Sequence, residues 1–144
     1  MLRDEKEVAL NKVLNQLKKN RQIAGKMHDM TEDANVASRL SNDLRVYGHT
    51  VSALEDGIRS LNYLPVEPDP DRQTAEKLLI KLKSLLADDK EAAILQEAES
   101  LQQQLYAAVK EALRHDVGNG LRSILRGLQS ELDETDAPSD NAIP

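Results

Sequence analysis

The sequence predicts an all-α protein, an antiparallel four-helix bundle with a long crossover between its second and third helices. Three observations predict this fold. Apolar residues recur at steps of three and four along four long segments, which is the spacing of one helix face. The chain has no Phe, no Trp and three Tyr, so runs typical of strands are few. Three of its five prolines fall between residues 62 and 71 and interrupt the helical pattern there.

The first helix is predicted over Glu5–Met30. Its apolar stripe is interrupted near the middle, at Asn20 and Arg21, and consists of Leu10, Val13, Leu14, Leu17, Ile23, Ala24, Met27 and Met30. Thr31 is predicted to cap the next helix, because a hydroxyl can accept from the first free backbone amides and acidic residues follow it.

The second helix is predicted from Asp33 to Leu61 and has the clearest pattern. Its heptad-spaced seam is Ala37, Leu40, Leu44, Tyr47, Val51, Leu54, Ile58 and Leu61. The crossover begins with the proline-rich linker Asn62–Asp71. A short amphipathic helix follows over Gln73–Leu86, with the stripe Ala75, Leu78, Leu79, Leu82, Leu85 and Leu86.

The third helix is predicted from about Asp88 to Arg114 and the fourth over Val117–Leu132. The seam of the third helix is Ile94, Ala98, Leu101, Leu105, Ala108 and Ala112. Short turns make helices 1 and 2 one antiparallel hairpin and helices 3 and 4 another, which the crossover joins. Residues 1–132 form a single domain in this prediction, and residues 133–144 form a disordered tail.

Composition limits the functions that the chain can have. Asp and Glu outnumber Lys and Arg by 25 to 19 in 144 residues, giving a net charge of -6. Because the charges are mixed, no basic face is predicted, and nucleic acid is excluded as a partner. The absence of Cys excludes disulfides and thiolate metal sites. A charged N-terminus and no apolar run of roughly 20 residues predict a cytoplasmic protein without membrane contact.

The order and lengths of the helices resemble the ferritin-like superfamily, in particular bacterial ferritin-like four-helix-bundle proteins of unknown function. Three parts carry the resemblance: residues 10–17, the end of helix 2 near Leu61, and the acidic, alanine-containing segment of residues 88–99. The resemblance implies the same fold, with a stress-related role.

Ferritin-like di-iron enzymes carry one Glu on each of two helices and Glu-x-x-His on the other two. This sequence has no Glu-x-x-His, and its second helix offers His49 without a Glu three residues earlier. The third helix offers Glu97 and Glu99. The di-iron site is therefore predicted to be lost and no cofactor is expected, with His49, Glu97 and Glu99 as the ligands of any residual metal site.

His115 suggests a different function. Residues 115–124 resemble the phospho-acceptor segment of sensor histidine kinases, which reads His-Asp-x-x-Asn-x-Leu-x-x-Ile. The resemblance implies that His115 is the phosphorylated nucleophile, with Asp116 as its acid-base neighbour and Asn119 on the same pattern. No ATP-binding domain follows, so a stand-alone phosphotransfer protein is the form that this alternative takes.

The plainer interpretation of the histidines is structural. His28 with Glu32, and His115 with Glu111, form helical pairs four residues apart. His49 lies beside the helix 2 seam and is predicted to be partly buried. The leading hypothesis is thus a non-enzymatic bundle that acts through protein–protein contact, as a homodimer or with another protein. A phosphotransfer protein and a residual metal-binding protein are the alternatives.

Overall fold

A computed structural model describes residues 4–65, 77 and 89–136, with the side chains of residues 134–136 left out. These residues form four α-helices and no strand: α1 Glu5–Met30, α2 Ala34–Ser60, α3 Lys90–Leu113 and α4 Asn119–Asp136. The prediction of an all-helical chain with four long helices is confirmed. The boundaries of α1 are those predicted, and α2 and α3 agree with prediction to within about two residues at each end.

Aspartate side chains begin the first three helices. Asp4 accepts a hydrogen bond from the Lys6 amide, and Asp89 accepts one from the Ala92 amide. Asp33 accepts from two amides at the start of α2, so the prediction that Thr31 caps this helix is wrong. Thr31 instead ends α1, where its amide donates to the Met27 carbonyl. The carboxylate is the better acceptor of the two candidates and also carries a charge that favours a helix N-terminus.

The helices surround a single core of aliphatic residues. α1 packs against α2 and α3, and α4 packs against the same two helices, whereas α1 and α4 do not contact each other. α1 and α4 therefore lie at opposite corners. The largest fully buried side chains are Tyr47, Leu10, Leu14, Leu17, Met27, Leu40, Leu54, Ile58, Ile94, Leu101, Leu105 and Leu125. Their burial follows the predicted seams and supplies most of the apolar free energy of folding.

Polar contacts join the ends of the helices. The Tyr63 hydroxyl, just after α2, donates to Asp4 at the start of α1 at 2.8 Å. At the other end of α1, the Thr31 hydroxyl donates to the Glu91 carboxylate near the start of α3. The end of α1 thus lies beside the start of α3, and the end of α2 lies beside the start of α1.

Two predicted segments fall wholly or mostly outside the described residues. The predicted short helix over residues 73–86 is one, and only its Lys77 is described, in helical conformation. The predicted tail over residues 133–144 is the other. α4 continues four residues past its predicted end at Leu132, to Asp136, so residues 133–136 are helical, and residues 137–144 lie outside the described part.

Gly57 lets α2 and α4 approach each other closely. A Cβ atom at Gly57 would collide with the Leu121 side chain, which is 4% exposed, whereas a Cβ atom at Gly48 on the same helix would meet nothing within 4 Å. Position 57 is therefore restricted by packing and position 48 is not.

The pair Gly57→Ala and Gly48→Ala isolates this packing, because both changes add the same helix propensity. We expect Gly57→Ala to unfold with a free energy about 1–3 kcal/mol lower than Gly48→Ala, which is the cost of overpacking. Urea denaturation of the two variants measures the difference. Equal stabilities would show that α2 and α4 do not meet at Gly57.

Candidate functional site

Three polar side chains occupy core positions near the middle of the bundle. Asn20 of α1 is fully buried, and Asp43 of α2 and Gln102 of α3 are each 3% exposed. Each one lies on the inner face of its helix, where its neighbours along the helix are aliphatic. We call these three residues, together with Arg39 and Tyr47, the polar cluster.

Asp43 and Gln102 meet across the centre of the bundle. The Gln102 side-chain amide donates to Asp43 Oδ1 at 3.0 Å, and Arg39 Nη2 donates to Gln102 Oε1 at 3.4 Å. Arg39 Nε lies 3.9 Å from Asp43 Oδ2, within reach of an ion pair but too far for a hydrogen bond. Arg39 Nε is buried without a hydrogen-bond partner among the described residues. The positive charge of Arg39 thus partly neutralises the Asp43 carboxylate, but the guanidinium does not satisfy every hydrogen-bond acceptor of that carboxylate.

Asn20 ties α1 to α3. Its Nδ2 donates to the Leu101 carbonyl at 2.9 Å, and its Oδ1 accepts from Gln16 Nε2 at 2.8 Å. Gln16 also donates to Gln104 of α3 at 3.3 Å. Both ends of the Asn20 amide are therefore used, as a fully buried amide requires.

Burial changes the acidity of the cluster. Desolvation raises the pKa of Asp43 from its ordinary 3.8 to about 6, although the Arg39 charge and the Gln102 hydrogen bond act in the opposite direction. Desolvation and the nearby Asp43 carboxylate also raise the pKa of the Tyr47 hydroxyl well above its usual range. Hydrogen bonds with Asn20 and Gln102 oppose that rise. The cluster therefore contains a carboxyl group that gains or loses its proton near pH 6.

The hydrogen bonds of the cluster favour one register of the helices. The two hollows described below, which lie on either side of α2, have no cluster residue in their linings. Polar groups that pair in only one arrangement of the helices penalise the others, which is the best-attested use of polar residues in a helical core.

The residues predicted for a metal site do not come together. His49 is exposed on α2, Glu99 is exposed on α3, and Glu97 is half-buried. Within the described ranges, no three His, Cys, Asp or Glu side chains are placed to hold a metal ion. The prediction that His49 is partly buried is wrong, because its position on α2 faces solvent next to the groove towards α4.

The phospho-acceptor pattern is divided between a turn and a helix. His115 and Asp116 lie after the end of α3, and Asn119 begins α4. Gly118, whose φ is +86°, separates them. The pattern thus spans the break between α3 and α4. Arg122 donates to the His115 carbonyl at 2.9 Å, and the His115 ring lies 3.8 Å from Glu111 as predicted.

His28 does not pair with Glu32. α1 ends at Met30, so the two residues do not share a helix face. His28 Nε2 lies 3.1 Å from the Ser41 hydroxyl of α2, and Glu32 pairs with Lys90 at 3.6 Å. The prediction of this pair is therefore wrong.

Sequence reasoning missed the cluster, although a signal was present. Asp43 lies three residues after Leu40 and four residues before Tyr47, so it occupies a position of the heptad seam. Asn20 lies where the apolar stripe of the first helix is interrupted. Polar residues at positions where the period requires apolar ones indicate a partner across the core. Gln102 gave a weaker signal, because Leu101 beside it already satisfied the pattern.

The solvent-facing side of α2 is the second notable feature. From Ala34 to Ser52 its exposed residues are Ala34, Asn35, Ser38, Ser41, Asn42, Arg45, His49 and Ser52. Arg45 alone of these carries a formal charge, in a chain of which 31% of residues are charged. We call this surface the α2 face. Small, mostly neutral side chains leave the helix accessible to close approach by another helix.

A hollow lies on each side of the α2 face. The groove towards α4 has a volume of about 240 Å³. Its lining comprises Arg45, Val46, His49, Thr50, Ala53, Ser123, Ile124, Gly127, Leu128 and Glu131. The hollow towards α1 is open and lined by Lys18, Arg21, Gln22, Gly25, Lys26, His28, Asp29 and Leu44. We call the second one the basic hollow. Its lining holds three basic residues and one acidic residue, Asp29.

No helix among the described residues is long and apolar enough to cross a membrane. Comparison of the chain with protein-family models, with curated proteins and with solved structures found no match in any of the three.

Replacing Asp43 with Asn should remove a pH-dependent penalty. The pKa of Asp43 is higher in the folded chain, so the folded chain binds this proton more tightly than the unfolded chain does. The free energy of unfolding of the wild type therefore falls as the pH rises from about 4 to about 6. Above that range the penalty is at most about 3 kcal/mol, at about 1.4 kcal/mol per pKa unit. Asp43→Asn keeps an acceptor for Gln102, so we expect it to be more stable than wild type at pH 7 and equal near pH 4.

Urea denaturation at a series of pH values measures this difference. Asp116→Asn makes the same chemical change at an exposed position between α3 and α4 and should leave the wild-type profile unchanged. Parallel profiles for Asp43→Asn and wild type would contradict the burial of an ionised carboxylate in the cluster.

Proposed function

We propose that this chain is a non-enzymatic helical-bundle protein of ferritin-like type that acts through protein–protein contact, with a second copy of itself as the partner. The α2 face is the observation that carries the proposal. A solvated helix in a highly charged chain ordinarily presents charged side chains, whereas the α2 face presents serines, asparagines, one alanine and one histidine, with Arg45 as its one formally charged residue.

The hollows beside the α2 face support the same proposal. Val46, Ala53 and Ile124 line the groove towards α4, and Leu44 lines the basic hollow towards α1. A ridge with a groove on either side is the shape that packs against a copy of itself, ridge into groove. Closed two-fold dimers built from one self-complementary surface are the commonest assemblies of soluble proteins.

The contacts between helix ends support the ferritin-like part of the proposal. The contact of Thr31 with Glu91 and that of Tyr63 with Asp4 favour α1 running opposite to both α2 and α3. In that arrangement α2 and α3 run in the same direction, so the connection between them crosses the length of the bundle. One long crossover between two antiparallel hairpins is the ferritin-like topology.

Charge placed on the α2 face should dissociate the dimer. We expect wild type to have twice its chain mass of 16.0 kDa by size exclusion with light scattering. Ser38→Glu with Ser52→Glu places like charges on both copies of the interface, and should weaken the dimer at least about tenfold, or about 1.4 kcal/mol.

Gln96→Glu with Ala107→Glu is the matched control, because both positions are exposed on α3 and, as in the α2 pair, the two new charges lie several helical turns apart. This variant should remain dimeric, and circular dichroism should show both variants as helical as wild type. A wild-type protein of single-chain mass at every concentration would overturn the proposal, and so would equal dissociation of the two variants.

A further inference from the structure

We propose that the two copies associate about a two-fold axis parallel to α2, so that the acidic end of α4 of one copy lies on the basic hollow of the other. The inference rests on the dimer proposed above and names the charged contacts that orient it.

The basic charge is concentrated on α1. Residues 8–28 contain five basic residues and no acidic one, within a chain whose net charge is -6. Arg21 and Lys26, both exposed, line the basic hollow. Lys18 also lines it and is paired with Glu55 at 3.1 Å. Asp29 is the acidic residue of the same lining. No carboxylate of the described residues forms an ion pair with Arg21 or Lys26, so these two positive side chains are available to a partner.

The acidic charge is concentrated at the end of α4. After Arg126 the chain has five acidic residues and no basic one, and four of the five lie in the helix, which ends at Asp136. Asp133 is exposed. The two segments therefore have opposite charge, which is the complementarity that orients protein partners.

The two charged surfaces lie at the same level of the bundle, on opposite sides of α2. Glu131 and Arg45 line the same groove, which places the end of α4 beside Arg45. One turn away on α2, Ser41 contacts His28, a lining residue of the basic hollow. α1 and α4 do not touch within one chain, so α2 separates the two surfaces.

Symmetry determines which surfaces meet. A two-fold axis parallel to α2 exchanges left and right, so α1 of each copy faces α4 of the other and both charge contacts form at once. A two-fold axis perpendicular to α2 within the interface would instead bring α1 against α1 and, where it passes at the level of the hollows, two basic surfaces would oppose each other. Complementary charge therefore favours the parallel axis.

A charge reversal and its compensation test the inference. Arg21→Glu with Lys26→Glu should raise the dimer dissociation constant at least about tenfold at low ionic strength. Asp133→Lys with Asp136→Lys should have the same effect. All four substitutions in one chain should bring the dimer dissociation constant back to within about threefold of the wild-type value, because the charged contact forms again with its signs exchanged. Sedimentation equilibrium measures the dissociation constants of wild type and of the three variants. Added salt should weaken the wild-type dimer but not the dimers of the two uncompensated reversals.

Lys12→Glu with Lys19→Glu is the control, because it makes the same charge change on α1 at residues outside the lining of the hollow, and it should dissociate no more than wild type. A dimer that both reversals leave intact would overturn this inference and leave the proposed function standing. A monomeric wild type would overturn both. A monomer that binds a single-stranded oligonucleotide, with loss of binding in Arg21→Glu and Lys26→Glu, would assign the hollow to nucleic acid and also overturn the inference.

Discussion

Gln102 donates a hydrogen bond to Asp43 across the centre of a mostly aliphatic core, and this contact constrains how the helices lie beside one another. Aliphatic seams alone tolerate sliding, because one leucine can replace another along a groove. A buried amide and carboxyl without partners would cost about 1–3 kcal/mol each. Asn20 adds the same constraint between α1 and α3 through the Leu101 carbonyl. The polar cluster thus selects one alignment of three helices.

The remaining features follow from that alignment. Once α2 is held by its inner face, its outer face has a fixed orientation, and the small residues of the α2 face point together into solvent. The same alignment puts Gly57 opposite Leu121, which determines how close α4 comes. The basic hollow and the acidic end of α4 then flank α2 at one level, so the surface chemistry depends on the interior.

The helices could be predicted from the sequence because apolar spacing reports directly on which face is buried. The bounds of α1 and the seams of α2 and α3 were predicted this way. The polar cluster could not be, since spacing assigns every polar residue to the outside and does not tell which one finds a partner across the core. Asp43 and Gln102 are 59 residues apart. The exposure of His49 likewise depends on how α2 is oriented, and the separation of His28 from Glu32 depends on where α1 ends.

The chain has no Trp, and its largest buried side chain is a tyrosine. Tyr47 belongs to the polar cluster and is 1% exposed, whereas Tyr63 and Tyr106 are half-buried. The ultraviolet absorbance and emission of the folded protein therefore come from three phenols, of which one lies in the core. The carboxyl group of Asp43 beside that phenol makes Tyr47 an intrinsic optical reporter of proton exchange inside the bundle.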